Sequence, residues 1–148
     1  MTNIVKSLIA AAAVLSLTAG AAFAAPTTIS VTLNNQPLNG DMPTNMGMAM
    51  GGDMSKATMS VTAEPNTAPA GEISFVATNK SADLIHEMIL VKIADPNKAL
   101  PFIADENRVD EDAAGHLGEV SELDPGKSGT LTLKLDPGTY MLFCNIPG

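Results

Sequence analysis

The sequence predicts an all-β fold, an antiparallel β-sandwich. Three observations predict it. Apolar residues recur with a period of two in short runs, the pattern of strands buried on one face. Turn signals rich in Pro, Gly and Asn separate those runs at close spacing. No long stretch carries a helical period, which leaves two packed sheets as the way to bury the apolar faces.

The elements follow in chain order. Lys6 gives a positive start, Leu8 to Leu17 is apolar and small apart from Ser16, and Ala22-Phe23-Ala24 is a small-x-small cleavage site. This is the pattern of a secretory signal peptide. The apolar run is too short to cross a bilayer core of ~30 Å as a helix. Residues 1–24 are therefore expected to be removed, leaving a mature chain in the periplasm. Thr28 to Leu33 alternates as a first strand. Asn34 to Lys56 is a loop of Gly, Pro, Asn, Asp and Met, so that 25–57 forms an N-terminal strand and a Met-rich loop. Thr58 to Ala63 is a second strand and Glu72 to Thr78 a third, followed by a turn at Asn79-Lys80-Ser81.

His86 to Ile93 is a strongly apolar fourth strand. Asp95 to Gly118 is polar and acidic, with a short helix expected within Asp105 to Ala114. Glu119 to Leu123 is a short strand. In Gly129 to Leu135 the residues Leu131, Leu133 and Leu135 point inward. Thr139 to Cys144 is the last strand. Tyr140 follows the Asp136-Pro137-Gly138 turn at a strand start, where sandwich folds place a tyrosine bonded back to the corner backbone. Its expected role is structural.

The charge is acidic: sixteen Asp and Glu against eight Lys and Arg. That balance argues against nucleic acid, whose phosphates demand a basic face. It favours plain solubility, a cationic partner or a cation. No Gly-rich phosphate loop follows a strand, and no serine occupies a nucleophile elbow. The carboxylates of Asp105 to Asp112 read as a solvated face. Two histidines and one cysteine remain. A lone thiol in an exported protein serves an intermolecular bond, a reactive site or a metal, or is buried and inert. His86 and Cys144 both lie at strand ends among apolar residues. Thiolate and imidazole together suit copper or zinc, but two ligands do not complete a site for either. His116, in Ala114-Gly115-His116-Leu117-Gly118, reads as an exposed loop histidine.

The closing segment Gly138-Thr-Tyr-Met-Leu-Phe-Cys144-Asn-Ile-Pro-Gly148 resembles the copper-binding segment of the cupredoxins, the azurin and plastocyanin superfamily of type 1 blue copper proteins. In that family a Gly-x-Tyr strand ends in the ligand cysteine, and a short Pro-Gly loop leads to a histidine and then a methionine. The resemblance implies a Greek-key β-sandwich over 58–148, with Cys144 as the thiolate ligand. It implies His86, in "NKSADLIHEMILVKI", as the first histidine ligand. The residue after that histidine is often Asn in the family; here it is Glu87. The second histidine and the axial methionine match no residue up to Gly148. The expectation is therefore a sequence truncated before them, with the final strand missing.

The resemblance further implies one bound copper ion, cycling between Cu(II) and Cu(I), in a monomer that carries single electrons. Its partner would be a redox protein such as a c-type cytochrome; no nucleic acid, no membrane after cleavage and no enzymatic turnover of its own are expected. Met42, Met46, Met48, Met50, Met54 and Met59 add a second theme. They lie among Gly, Asp, Asn and Pro, which do not build a core. Thioethers are soft ligands for Cu(I), which suggests a copper-collecting or delivery loop. A Met-rich contact surface over one end of the sandwich is the other reading. A metal-free interaction sandwich with a degenerate site is the remaining alternative.

Overall fold

The computed structural model describes residues 25–35, 59–95 and 98–146. The expected signal peptide (1–24), the methionines Met42 to Met54 and Pro147-Gly148 lie outside these residues. Nine strands and one helical turn are described: β1 (Thr27–Asn34), β2 (Ser60–Glu64), β3 (Gly71–Asn79), β4 (His86–Ile93), β5 (Phe102–Ile103), β6 (Arg108–Val109), α1 (Glu111–Ala114), β7 (His116–Leu123), β8 (Ser128–Leu135) and β9 (Thr139–Phe143). None of the described helices is long and apolar enough to cross a membrane.

Two sheets form the sandwich expected from the alternating runs. One has the order β2-β1-β3-β8, the other β7-β4-β9; β5 and β6 make a small hairpin. One pairing differs from the antiparallel expectation. β1 runs parallel to β3, with Ile29 opposite Phe75 and Val31 opposite Ala77, while the other pairs are antiparallel. Parallel pairing of these two strands places Ile29, Val31 and Leu33 beside Ile73, Phe75 and Ala77 on one apolar face. The chain then crosses between the sheets from β3 to β4, from β7 to β8 and from β8 to β9. Since β7 packs along β8 where the sheets meet, the spatial order β9-β4-β7-β8 is a Greek key.

β4 is the centre of the second sheet, and the sequence HEMILVKI shows why. Met88 and Leu90 face the core between the sheets. Ile89 and Val91 face the other way, into a second cluster with Leu100, Val109 and Phe143. All four are fully buried. A strand covered on both faces reads as a continuous apolar run rather than an alternating one. The covering layer is the 98–115 excursion, where the expected helix shrinks to a single turn. Asp110 caps it by accepting the N–H of Ala113 at 3.0 Å, and Gly115 ends it in the left-handed region at φ 74°. Arg108 and Val109, expected as helix, pair instead with Ile103 and Phe102 in the β5–β6 hairpin. Tyr140 holds its corner: its hydroxyl donates to the carbonyl of Asp136 at 2.7 Å.

Candidate metal centre

Three local arrangements bring the two predicted ligands to one end of the sandwich. The first is a loop anchored by Asn79, which is fully buried at the end of β3. Its amide nitrogen donates to the carbonyls of Leu84 (2.8 Å) and Leu123 (2.7 Å), and its side-chain oxygen accepts the N–H of Ser81 (2.9 Å). Ser81 also donates to Leu84 O at 2.6 Å. These bonds fix the backbone that delivers His86 into β4.

The second arrangement fixes the His86 ring. His86 has no exposed surface, and its Nε2 lies 2.9 Å from Asn35 Oδ1. The orientation of Asn35 decides the tautomer. Asn35 Nδ2 donates to Asp83 Oδ1 at 2.6 Å, and an ionised carboxylate only accepts. The Asn35 oxygen therefore faces the ring, and His86 Nε2 must carry the proton. The lone pair sits on Nδ1. That atom is the single buried side-chain N or O without a hydrogen-bond partner among the described residues. Burial lowers the His86 pKa, so the ring stays neutral and its lone pair free. A histidine whose other nitrogen is held by an acceptor has the arrangement of a metal ligand.

The third arrangement holds the thiol. β9 pairs with β4, Ile89 opposite Phe143, so Cys144 leaves the sheet beside the start of β4. Its sulfur accepts the N–H of Glu87 at 3.5 Å. Burial pushes the Cys144 thiol pKa up, and the nearby Glu87 carboxylate adds to this; the backbone N–H groups of Glu87 and Ile146 act against both. Two backbone donors aimed at a half-buried sulfur suit a thiolate better than a thiol. The cost of ionising it here would be met by a cation, since a coordinating thiol is deprotonated outright. Donor set and orphaned lone pair together fit a soft or borderline metal such as copper.

Glu87 ties the two ligand segments together. Its Oε1 accepts the N–H of Asn145 at 3.0 Å while its own N–H reaches Cys144. Burial pushes its pKa up to about 7, helped by Glu111, Glu119 and Glu122 and opposed by the Asn145 bond.

His116 goes elsewhere. It stands opposite Val91 at the start of β7, whereas His86 stands opposite Leu123 at the far end. It lies in a strand rather than the loop the sequence suggested, and it is exposed. Its neighbours are Glu111 and Glu119, with ligand-type atoms within 4.8 Å of one another. Sequence reasoning missed Asn35, Asn79 and Asp83. Asn35 lies 51 residues from the ring it orients, beyond the reach of any local motif; the polar turn at Asn79 was the only trace of the others.

No family model matches the chain, and no curated protein does. Among solved structures, the chain is similar to the Na-dithionite reduced auracyanin from the photosynthetic bacterium Roseiflexus castenholzii, at 21% identity and a TM-score of 0.45, over 84% of this chain and 88% of that one.

Proposed function

We propose that the protein is a periplasmic, cupredoxin-type copper protein that carries single electrons between larger redox proteins, with His86 Nδ1 and Cys144 Sγ as two of its ligands. The observation that carries this reading is the unpartnered Nδ1 of a fully buried histidine, at the end of the sandwich where the only cysteine emerges. Copper, when bound, supplies the one-electron couple. The protein's part is rigidity. Asn35, just after β1, holds the ring of His86, and Glu87, on β4 beside that histidine, holds the sulfur. Ligands that do not move need little reorganisation when the charge changes. Turnover belongs to the partners, so no catalytic residue is assigned.

A second reading is favoured by one specific observation. Asn35, the residue bonded to His86, lies in the same Asn34 to Lys56 stretch of sequence as Met42, Met46, Met48, Met50 and Met54. The thioethers there are soft ligands that suit Cu(I), as a delivery loop requires. A competition titration with a chromophoric Cu(I) chelator separates the readings. It compares the exported protein with H86A, C144S and a variant carrying Leu at Met42, Met46, Met48, Met50 and Met54. The electron-carrier reading expects H86A and C144S to weaken binding by more than about tenfold. Loss confined to the methionine variant supports delivery instead. No binding by any form leaves a metal-free sandwich.

A further inference from the structure

We propose that Asn145 is a positioning residue for Cys144, through which the 98–115 excursion becomes part of the support of the metal centre. Asn145 follows the cysteine directly and is buried. Its backbone N–H is taken by Glu87. Its side chain is fully used on the other side. Oδ1 accepts the N–H of Val109 at 2.7 Å, and Nδ2 donates to Val109 O at 3.0 Å and to Glu111 Oε1 at 2.7 Å. One carboxamide thus pairs with both backbone groups of a β6 residue, as a strand partner would. It also reaches the first residue of α1.

The geometry gives this a purpose beyond packing. After Phe143 the chain leaves the β4 ladder, so Cys144 has no cross-strand backbone bonds of its own to fix its torsions. It is held from one side by Glu87 N–H on its sulfur and, one residue on, by the Asn145 carboxamide locked to β6. Together with the Ile146 N–H on the sulfur, those attachments bracket the Cα–Cβ bond that aims it. Removing the carboxamide leaves the Val109 N–H and C=O buried without partners and leaves residue 145 held only through its backbone N–H to Glu87. Partners that orient a ligand without touching the metal commonly change affinity by 10- to 100-fold.

The metal arm of this inference rests on the copper reading; the thiol arm does not. Cys144 is the only cysteine, so its rate of thiol–disulfide exchange with an aromatic disulfide reports on its own position in the metal-free protein. Three variants are compared with the unaltered chain: N145A, E111Q and V109A. E111Q keeps an oxygen acceptor for Asn145 Nδ2. V109A truncates a buried side chain but keeps the backbone groups that Asn145 uses, and so serves as a control for lost stability. The expected result is that N145A exchanges about tenfold faster and binds Cu(I) about tenfold more weakly. E111Q and V109A should stay within about twofold in both, even where V109A unfolds at lower urea. If N145A changes neither readout, or if V109A changes exchange as much as N145A does, the positioning role is overturned. If the unaltered protein binds no copper, the functional reading fails, and the exchange rates still decide the role of Asn145.

Discussion

At the scale of single residues, His86 is defined by what its two nitrogens do. Asp83 orients Asn35, Asn35 takes the Nε2 proton, and Nδ1 is left bare. Long-range nitrogen–proton NMR correlations of the metal-free protein at neutral pH should therefore report a neutral ring protonated on Nε2. A proton on Nδ1 contradicts the relay. Replacing Asn35 with Ala removes the acceptor and should cost about tenfold in copper affinity.

Glu87 and His86 also pull the pH dependence of stability in opposite directions. The Glu87 carboxyl is raised from 4.5 to about 7 in the fold, so the native state holds the proton longer than the unfolded chain. Its contribution is complete below about pH 4.5 and is lost as the pH rises through about 7, at most about 3 kcal/mol. His86 is lowered, so its contribution is present above the unfolded value and is lost as the pH falls. Urea unfolding of metal-free E87Q should remove the first slope and keep the second. Gln retains the oxygen that Asn145 N–H needs, so a large loss of stability at low pH in E87Q contradicts this assignment.

At the scale of elements, the strands were legible because period-two alternation is a direct image of a two-sided sheet. β8, with Leu131, Leu133 and Leu135 half-buried between exposed neighbours, is the clearest case. β4 was equally legible as an apolar run, but why it is apolar on both faces was not. That needs the 98–115 excursion, whose two-residue strands carry no period. The parallel pairing of β1 and β3 was hidden for a related reason, since alternation fixes which face is buried but not which neighbour a strand takes. Gly129 shows how closely the elements fit. A methyl group there would run into Val120 Cγ1 on β7, at the corner where β7 meets β8. G129A should destabilise by about 1–3 kcal/mol through overpacking, measured by urea unfolding. A neutral outcome implies that the corner is looser than its contacts indicate.

At the scale of the whole molecule, the candidate site is a place where three distant stretches converge. Asn35 lies just after β1, the His86-Glu87 pair opens β4, and the Cys144-Asn145 pair follows β9. The two metal-ligand candidates were readable because their type and flanking motif are local. The carboxamides that hold them were not, because Asn35 and Asn145 act through partners 51 and 36 residues away. The acidic balance of the chain adds an expectation about partners. With a net charge of −8, encounter with a cationic redox protein should be steered by charge. Its second-order rate should fall steeply as ionic strength rises toward 0.15 M, where screening acts within about 8 Å. A rate independent of salt argues for an uncharged docking surface.

In the proposed function the thiol of Cys144 is a copper ligand beside His86. The visible absorption of the protein expressed from the full reading frame, with Cu(II) added, tests it most directly, with C144S measured alongside. The expected result is an intense thiolate-to-Cu(II) charge-transfer band that disappears in C144S. A protein that binds Cu(II) and shows the same spectrum with and without the cysteine contradicts it.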